Sequence, residues 1–140
     1  MRMLLALVVL FLGIHLTGAE FSISFREASD EPQAGFVEHP YRTNQKIYVG
    51  PDSGITAEHI ANLSYHNSAG EDFLGVAFTP AGAQLNQAFT TKMLKQRIAI
   101  FINQQLVSSA RVIAPSIDEC WISGATKAEI EQFIASFKAK

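Results

Sequence analysis

Cysteine is all but missing: the 140 residues contain one, Cys120. A lone cysteine cannot close an intramolecular disulfide, so packing alone must hold the fold. An excess of either charge is missing too. Eleven lysines and arginines face thirteen aspartates and glutamates, for a formal net charge of −2. With the signs interspersed, there is no electrostatic footprint for nucleic acid or an anionic membrane surface. After the N-terminus no apolar run approaches the roughly 20 residues of a transmembrane helix.

Signatures of catalysis are equally scarce. The chain has no GxSxG elbow and no GxxxxGK[ST] phosphate loop, which removes two common routes to acyl and phosphoryl transfer. His39, His59 and His66 lack a metal-ligand spacing such as HxxxH, and read as structural or surface residues. Asp118 and Glu119 are adjacent, so on a strand they point to opposite faces and do not share a substrate. Asp30-Glu31 and Glu71-Asp72 lie in turn-like stretches and serve solubility. Cys120 beside Trp121 reads as a small apolar residue, with a nucleophilic Cys–His pair as the alternative. Asn62-Leu63-Ser64 is formally a glycosylation sequon, informative only in a eukaryotic secretory pathway. No catalytic group, cofactor or metal ligand is expected.

What is present begins with a leader. Arg2 precedes the apolar run Leu4 to Leu12, and Thr17-Gly18-Ala19 supplies small residues before Glu20, the pattern of a secretory signal cut after Ala19. Residues 1–19 are therefore read as signal peptide and 20–140 as one exported domain, with an uncleaved anchor as the alternative. No membrane insertion is expected once the leader is removed. At 48% apolar content the remainder has enough hydrophobic surface for a single core.

Along that domain, Phe21 to Phe25 alternates apolar and polar residues, the period of a half-buried strand. Ala28 to Gln45 carries Pro32, Gly35 and Pro40 and reads as a long irregular loop. Ile47 to Val49 is a short strand stopped by Gly50-Pro51, and Thr56 caps a helical turn. Asn62 to His66 and Phe73 to Thr79 form strands around Asn67 to Gly70. Thr79 as cap and Pro80 at the first helical position open a helix, with Leu85, Ala88, Phe89 and Met93 as its apolar stripe.

Ile98 to Ile102 and Leu106 to Ile113 form a hairpin turning at Asn103-Gln104, the first strand apolar enough for a sheet centre. A last strand spans Ile117 to Ser123. The capping box Thr126-Lys127-Ala128-Glu129 then starts a helix that buries Ile130, Phe133, Ile134 and Phe137. The expected fold class is α+β, a mostly antiparallel sheet of about six or seven strands with two main helices packed on one face.

The order of these motifs resembles the periplasmic head subdomain of SecD and fused SecDF protein-export membrane proteins. The likeness is carried by Phe78 to Ala83 after a strand, by Ser109-Ala110 and Val112-Ile113 in the hairpin, and by Ile122-Ser123-Gly124 before the last helix. Phe25-Arg26-Glu27, Glu31-Pro32, Gly35, Ile47-Tyr48-Val49, Ile55-Thr56 and Ile60-Ala61 extend it to nearly the whole domain. Two positions depart. Asn103-Gln104 replaces an Asp-Gly turn, so the loop is expected to open by a residue or the register to shift. Arg111 replaces a proline, which restores a backbone N–H.

The resemblance implies a head-like fold, here as a stand-alone secreted domain, and a binding role. The expected function is a noncatalytic module for unfolded or secreted polypeptide, or for another envelope protein, in the bacterial periplasm or outside the cell. The alternatives are a separate subunit docking on a translocon or other envelope complex and, last, a small hydrolase or metal protein. Candidate binding residues are Phe36, Tyr41 and Arg42 in the irregular loop, residue types enriched at interfaces. Arg111 joins them on the outer hairpin strand, an edge that an extended peptide can pair with.

Overall fold

The computed structural model describes residues 20–139; the expected leader, residues 1–19, lies outside them. Eight strands form two antiparallel sheets. The larger sheet runs in the order β2 (Val37–Pro40), β3 (Lys46–Asp52), β1 (Ile23–Ser29), β6 (Arg97–Ile102), β7 (Gln105–Arg111). The smaller runs β4 (Ile60–Ser68), β5 (Glu71–Phe78), β8 (Glu119–Ile122). Helix α1 (Pro80–Lys92) follows β5, and α2 (Lys127–Lys138) closes the chain. The fold is the expected α+β class with two helices, at eight strands in two sheets rather than six or seven in one.

Local chemistry accounts for most element ends. Thr79 Oγ1 accepts the Gly82 N–H at 3.1 Å ahead of Pro80. At α2 the capping box is complete: Glu129 N–H donates to Thr126 Oγ1 (3.2 Å), and Thr126 N–H to Glu129 Oε1 (2.9 Å). The Asn103-Gln104 turn keeps its two residues without a glycine, both at positive φ, 51° and 67°, as a primed hairpin turn requires. Asparagine suits the position for a second reason. Its backbone N–H donates to Ser22 O and its Oδ1 accepts from Ser22 N–H, each at 2.9 Å, so the turn also pins the entry to β1. The register does shift nearby: Ile100 faces Ser108 but Phe101 faces Leu106, leaving Val107 as a bulge.

Two stretches differ from expectation. Within the supposed loop Ala28–Gln45, β1 continues to Ser29 and Val37–Pro40 pairs with β3 as an edge strand. A four-residue strand containing Pro40 carries too little periodicity to be seen locally, and proline is tolerated only at such an edge. The strand at Ile47 also runs on through Gly50-Pro51. Those residues fall where two positions of β3 oppose one of β1, between Val49 and Asp52 against Ala28 and Arg26, and a bulge accommodates a proline that the ladder does not.

One core lies between the sheets and the helices. Phe25, Ile100 and Ile102 from the larger sheet meet Leu74, Val76 and Ile122 from the smaller, with Phe89 of α1 and Ile130 and Phe133 of α2. Ala88 is exposed. The buried face of α1 is instead Ala83, Asn86, Phe89 and Thr90, with Met93 after it. Asn86 and Thr90 are hydrogen-bonded there, which is what allows polar groups inside. A smaller cluster of Ala28, Ile47, Val49 and Ala99 lies on the opposite face of the larger sheet.

Candidate functional site

Strands β7 and β8 are edge strands of different sheets, and they approach each other without pairing. They come together at Gly124, where an added Cβ would stand 2.5 Å from Val107 O. Gly124 has φ +112°, a backbone region that only glycine enters cheaply. Away from that contact the strands splay, and residues 112–118 bridge the open end. Between them is an apolar cavity of about 280 Å³ floored by Phe25, Ile98 and Ile100 and walled by Ser108, Ala110 and Ile122. An apolar cavity of roughly 150 Å³ accepts benzene, so this space takes one or two large side chains.

The hydrogen-bond pattern decides which main-chain groups are free. Val112 N–H donates to Gln96 O at 2.8 Å, so the facing residues Arg97 and Arg111 are a non-hydrogen-bonded pair. The Arg111 N–H and C=O therefore point away from β6, and by alternation so do those of Ser109. On the other side Phe78 N–H donates to Asp118 O at 2.9 Å. Ala77 and Glu119 are thus likewise non-hydrogen-bonded, and Glu119 and Trp121 turn their main-chain groups outward from β5. The seam has a strand edge outside any ladder on each flank, with Ser109 O on β7 taking the Tyr41 hydroxyl at 3.5 Å, and an apolar floor. Its lining includes the exposed Ile113 and Trp121, 88% and 47% accessible.

Polar groups fix the bridging segment. Asn86 Nδ2 donates to Ser116 Oγ (2.7 Å) and Ile117 O (3.2 Å), and Ser116 N–H donates to Thr90 Oγ1 (3.0 Å). Deeper in, the Val107 bulge places Ser108 on the cavity side. Ser108 is 4% exposed. Cys120 is half-buried on the β8 wall. Burial pushes its thiol up to about 12, with the Glu119 carboxylate adding to the effect, which favours the neutral thiol over the thiolate nucleophile at neutral pH.

The four residues singled out in the sequence do not gather into one site. Phe36 lays its ring over Gly50, where a Cβ would come within 2.5 Å of it. Tyr41 packs on the outer cluster and its hydroxyl donates to Ser109 O at 3.5 Å. Arg42, at φ +58°, stacks its guanidinium 5.0 Å above the Tyr41 ring. Arg111 borders the seam through its backbone, and Tyr41 touches its β7 edge only through the Ser109 bond. Its guanidinium lies on the opposite face, donating to Lys95 O at 2.9 Å and standing 3.6 Å from Asp30.

Sequence reasoning passed over Asn86, Thr90, Ser108 and the exposed lining residues Ile113 and Trp121. Ile113 left a trace, an isoleucine two residues ahead of Pro115; the inward polar residues left none. His66 stacks on Trp121 at 4.2 Å and sits 2.8 Å from Ser64 Oγ, on the outer face of the smaller sheet. No group of three or more metal-ligating side chains occurs among the described residues.

Comparison with known proteins decides the family. The family described as SecDF, P1 head subdomain, matches residues 32–138. The chain belongs to that family. Two solved SecDF structures share the head's fold. One, from work on a membrane component SecDF that enhances protein export, superposes with a TM-score of 0.66 at 14% identity, over 86% of this chain and 63% of that one. The other, SecDF in a super-membrane-facing form, gives 0.65 at 14% identity, over 84% of this chain and 18% of that one. This head therefore spans less than two thirds of either SecDF chain. No curated protein matches it in sequence. Among the described residues no helix is long and apolar enough to cross a membrane.

Proposed function

We propose that this SecDF-type head is an exported, noncatalytic module of the periplasm that holds extended polypeptide, unfolded or secreted, in the seam between β7 and β8. The observation that carries the reading is the set of main-chain groups turned away from β6, the Ser109 N–H and the Arg111 N–H and C=O, with an apolar cavity beside them. An added strand gains main-chain hydrogen bonds from such an edge and side-chain burial from such a cavity. Between the Gly124 contact and the bridging segment, β7 offers about four residues, roughly 13 Å at strand rise. The contact is short and the affinity correspondingly weak, about micromolar.

NMR titration of the full chain with an unfolded exported protein tests this. Shifts at residues 108–113 and 119–123 are expected, and none at about millimolar ligand, roughly a thousand times the expected Kd, would eliminate polypeptide capture. A second reading is a subunit docking on a larger envelope complex, for which membership of the SecDF head family is the support. Co-purification with a translocon component, without peptide binding, would select it. Export itself is tested by mass spectrometry, with Glu20 as the expected mature N-terminus.

A further inference from the structure

The chemistry of the captured segment follows from the two faces of β7, and rests on the seam's being a strand-addition site. Side chains of a strand alternate between faces. A segment paired to β7 thus sends one set into the cavity, beside Ser108 and Ala110, and the next to the opposite face, beside Ser109 and Arg111. The cavity face is apolar, and among its lining residues the only charged one, Arg111, contributes backbone. A charged side chain sent there would be desolvated without a partner.

The opposite face is cationic. Lys95, Arg97 and Arg111 share a surface hollow with Asp30 and Glu31, three cations to two carboxylates. Asp30 is taken more closely by Arg97, at 3.0 Å from its Nε, than by Arg111 at 3.6 Å. The Arg111 side chain is 54% exposed, and its contacts to Lys95 O and Asp30 leave part of a guanidinium's five N–H donors for a further acceptor. We infer that the seam selects an extended triplet in which an aspartate or glutamate stands between two large apolar residues. The apolar pair fills the cavity, and the carboxylate lies across from Arg111, where opposite charges on facing strands attract.

The test is fluorescence anisotropy of the full chain at low salt, with labelled peptides carrying Leu-Glu-Leu, Leu-Gln-Leu or Leu-Lys-Leu in one Ser/Thr host. The glutamate peptide is expected to bind about two- to fivefold tighter than the glutamine peptide, and the lysine peptide weaker by a similar factor. Arg111→Gln should erase the order while all three still bind, and Arg111→Glu should invert it. Equal affinities in the unaltered chain, or an order that survives Arg111→Gln, would overturn the inference and leave strand addition standing. Binding of none would overturn strand addition itself. Two further ligands separate the sources of a carboxylate. Tightest binding by Leu-Gln-Leu with a free C-terminus would assign the site to chain ends. Tightest binding by dodecanoate would assign it to fatty acids, and either result overturns the triplet.

Discussion

Replacing Arg111 with proline separates the free edge from everything else at that position. The Arg111 N–H lies outside the β6 ladder, because Val112 N–H takes Gln96 O; a proline there removes a donor that nothing within the larger sheet uses. Edge strands accept proline for this reason, and the strand conformation of Ala110 suits a residue preceding proline. The guanidinium's bond to Lys95 O is lost as well, so Arg111→Gln is the proper reference. Against it, Arg111→Pro should change unfolding free energy by less than about 1 kcal/mol, since no buried group is left unpaired. Binding of the neutral Leu-Gln-Leu peptide should weaken by one main-chain hydrogen bond, about 0.5 to 1.5 kcal/mol, or about two- to twelvefold in Kd. Urea melts and anisotropy measure the two quantities. A stability loss above about 3 kcal/mol, the cost of proline where its N–H is needed, would place the donor inside the ladder. Unchanged affinity would mean the edge is not where peptide pairs.

Phe133→Ala should cost about 3 to 5 kcal/mol in a denaturant melt, because the ring is 5% exposed among residues of both sheets; a change under about 1 kcal/mol would put α2 outside the core. Asn86→Ala strips two hydrogen bonds from the bridging segment and should lose about 1 to 3 kcal/mol by leaving Ile117 O unpaired, with chemical-shift changes concentrated at residues 113–118. The raised Cys120 thiol favours the neutral form in the folded state, so its contribution to stability is complete below pH 9 and is lost as pH climbs toward 12. Alkylation at pH 8 should accordingly run at least about a hundredfold slower than in the urea-unfolded chain. Asp72 works at the other end: the Tyr65 hydroxyl, and then Asn67, hold its carboxyl below 3.8, so its contribution is present above that value and fades as pH falls. Tyr65→Phe should shrink this acid-side dependence in pH-resolved melts.

The family likeness was legible because its motifs are local and ordered along the chain. Phe78-Thr79-Pro80 predicts a strand, a cap and a first helical residue, and all three form, since each step involves groups within four residues of one another. The box at Thr126 and Glu129 and the two-residue turn at Asn103-Gln104 are of the same kind. Of the four residues singled out in the sequence, Arg111 is the one that lines the proposed seam. Phe36, Tyr41 and Arg42 are interface-type residues by composition, but packing spends the Phe36 ring on Gly50 and the Tyr41 ring on the outer cluster. Composition does not reveal what a ring already covers.

By itself, then, the sequence determined the secondary elements with strong periodicity or caps, the absence of a disulfide, and the head-like order of motifs. Tertiary structure decided how the strands divide into two sheets, since partners such as Arg26 and Ala99 lie dozens of residues apart and no local rule pairs them. It also turned Asn86 and Thr90 inward, because hydrogen bonds to Ser116, thirty residues ahead of Asn86, offset a burial cost that their polarity alone would forbid. The seam belongs wholly to that level: β7 and β8 each completed one side of their ladders, and the close approach at Gly124 with the Ser116 anchor holds their other edges apart.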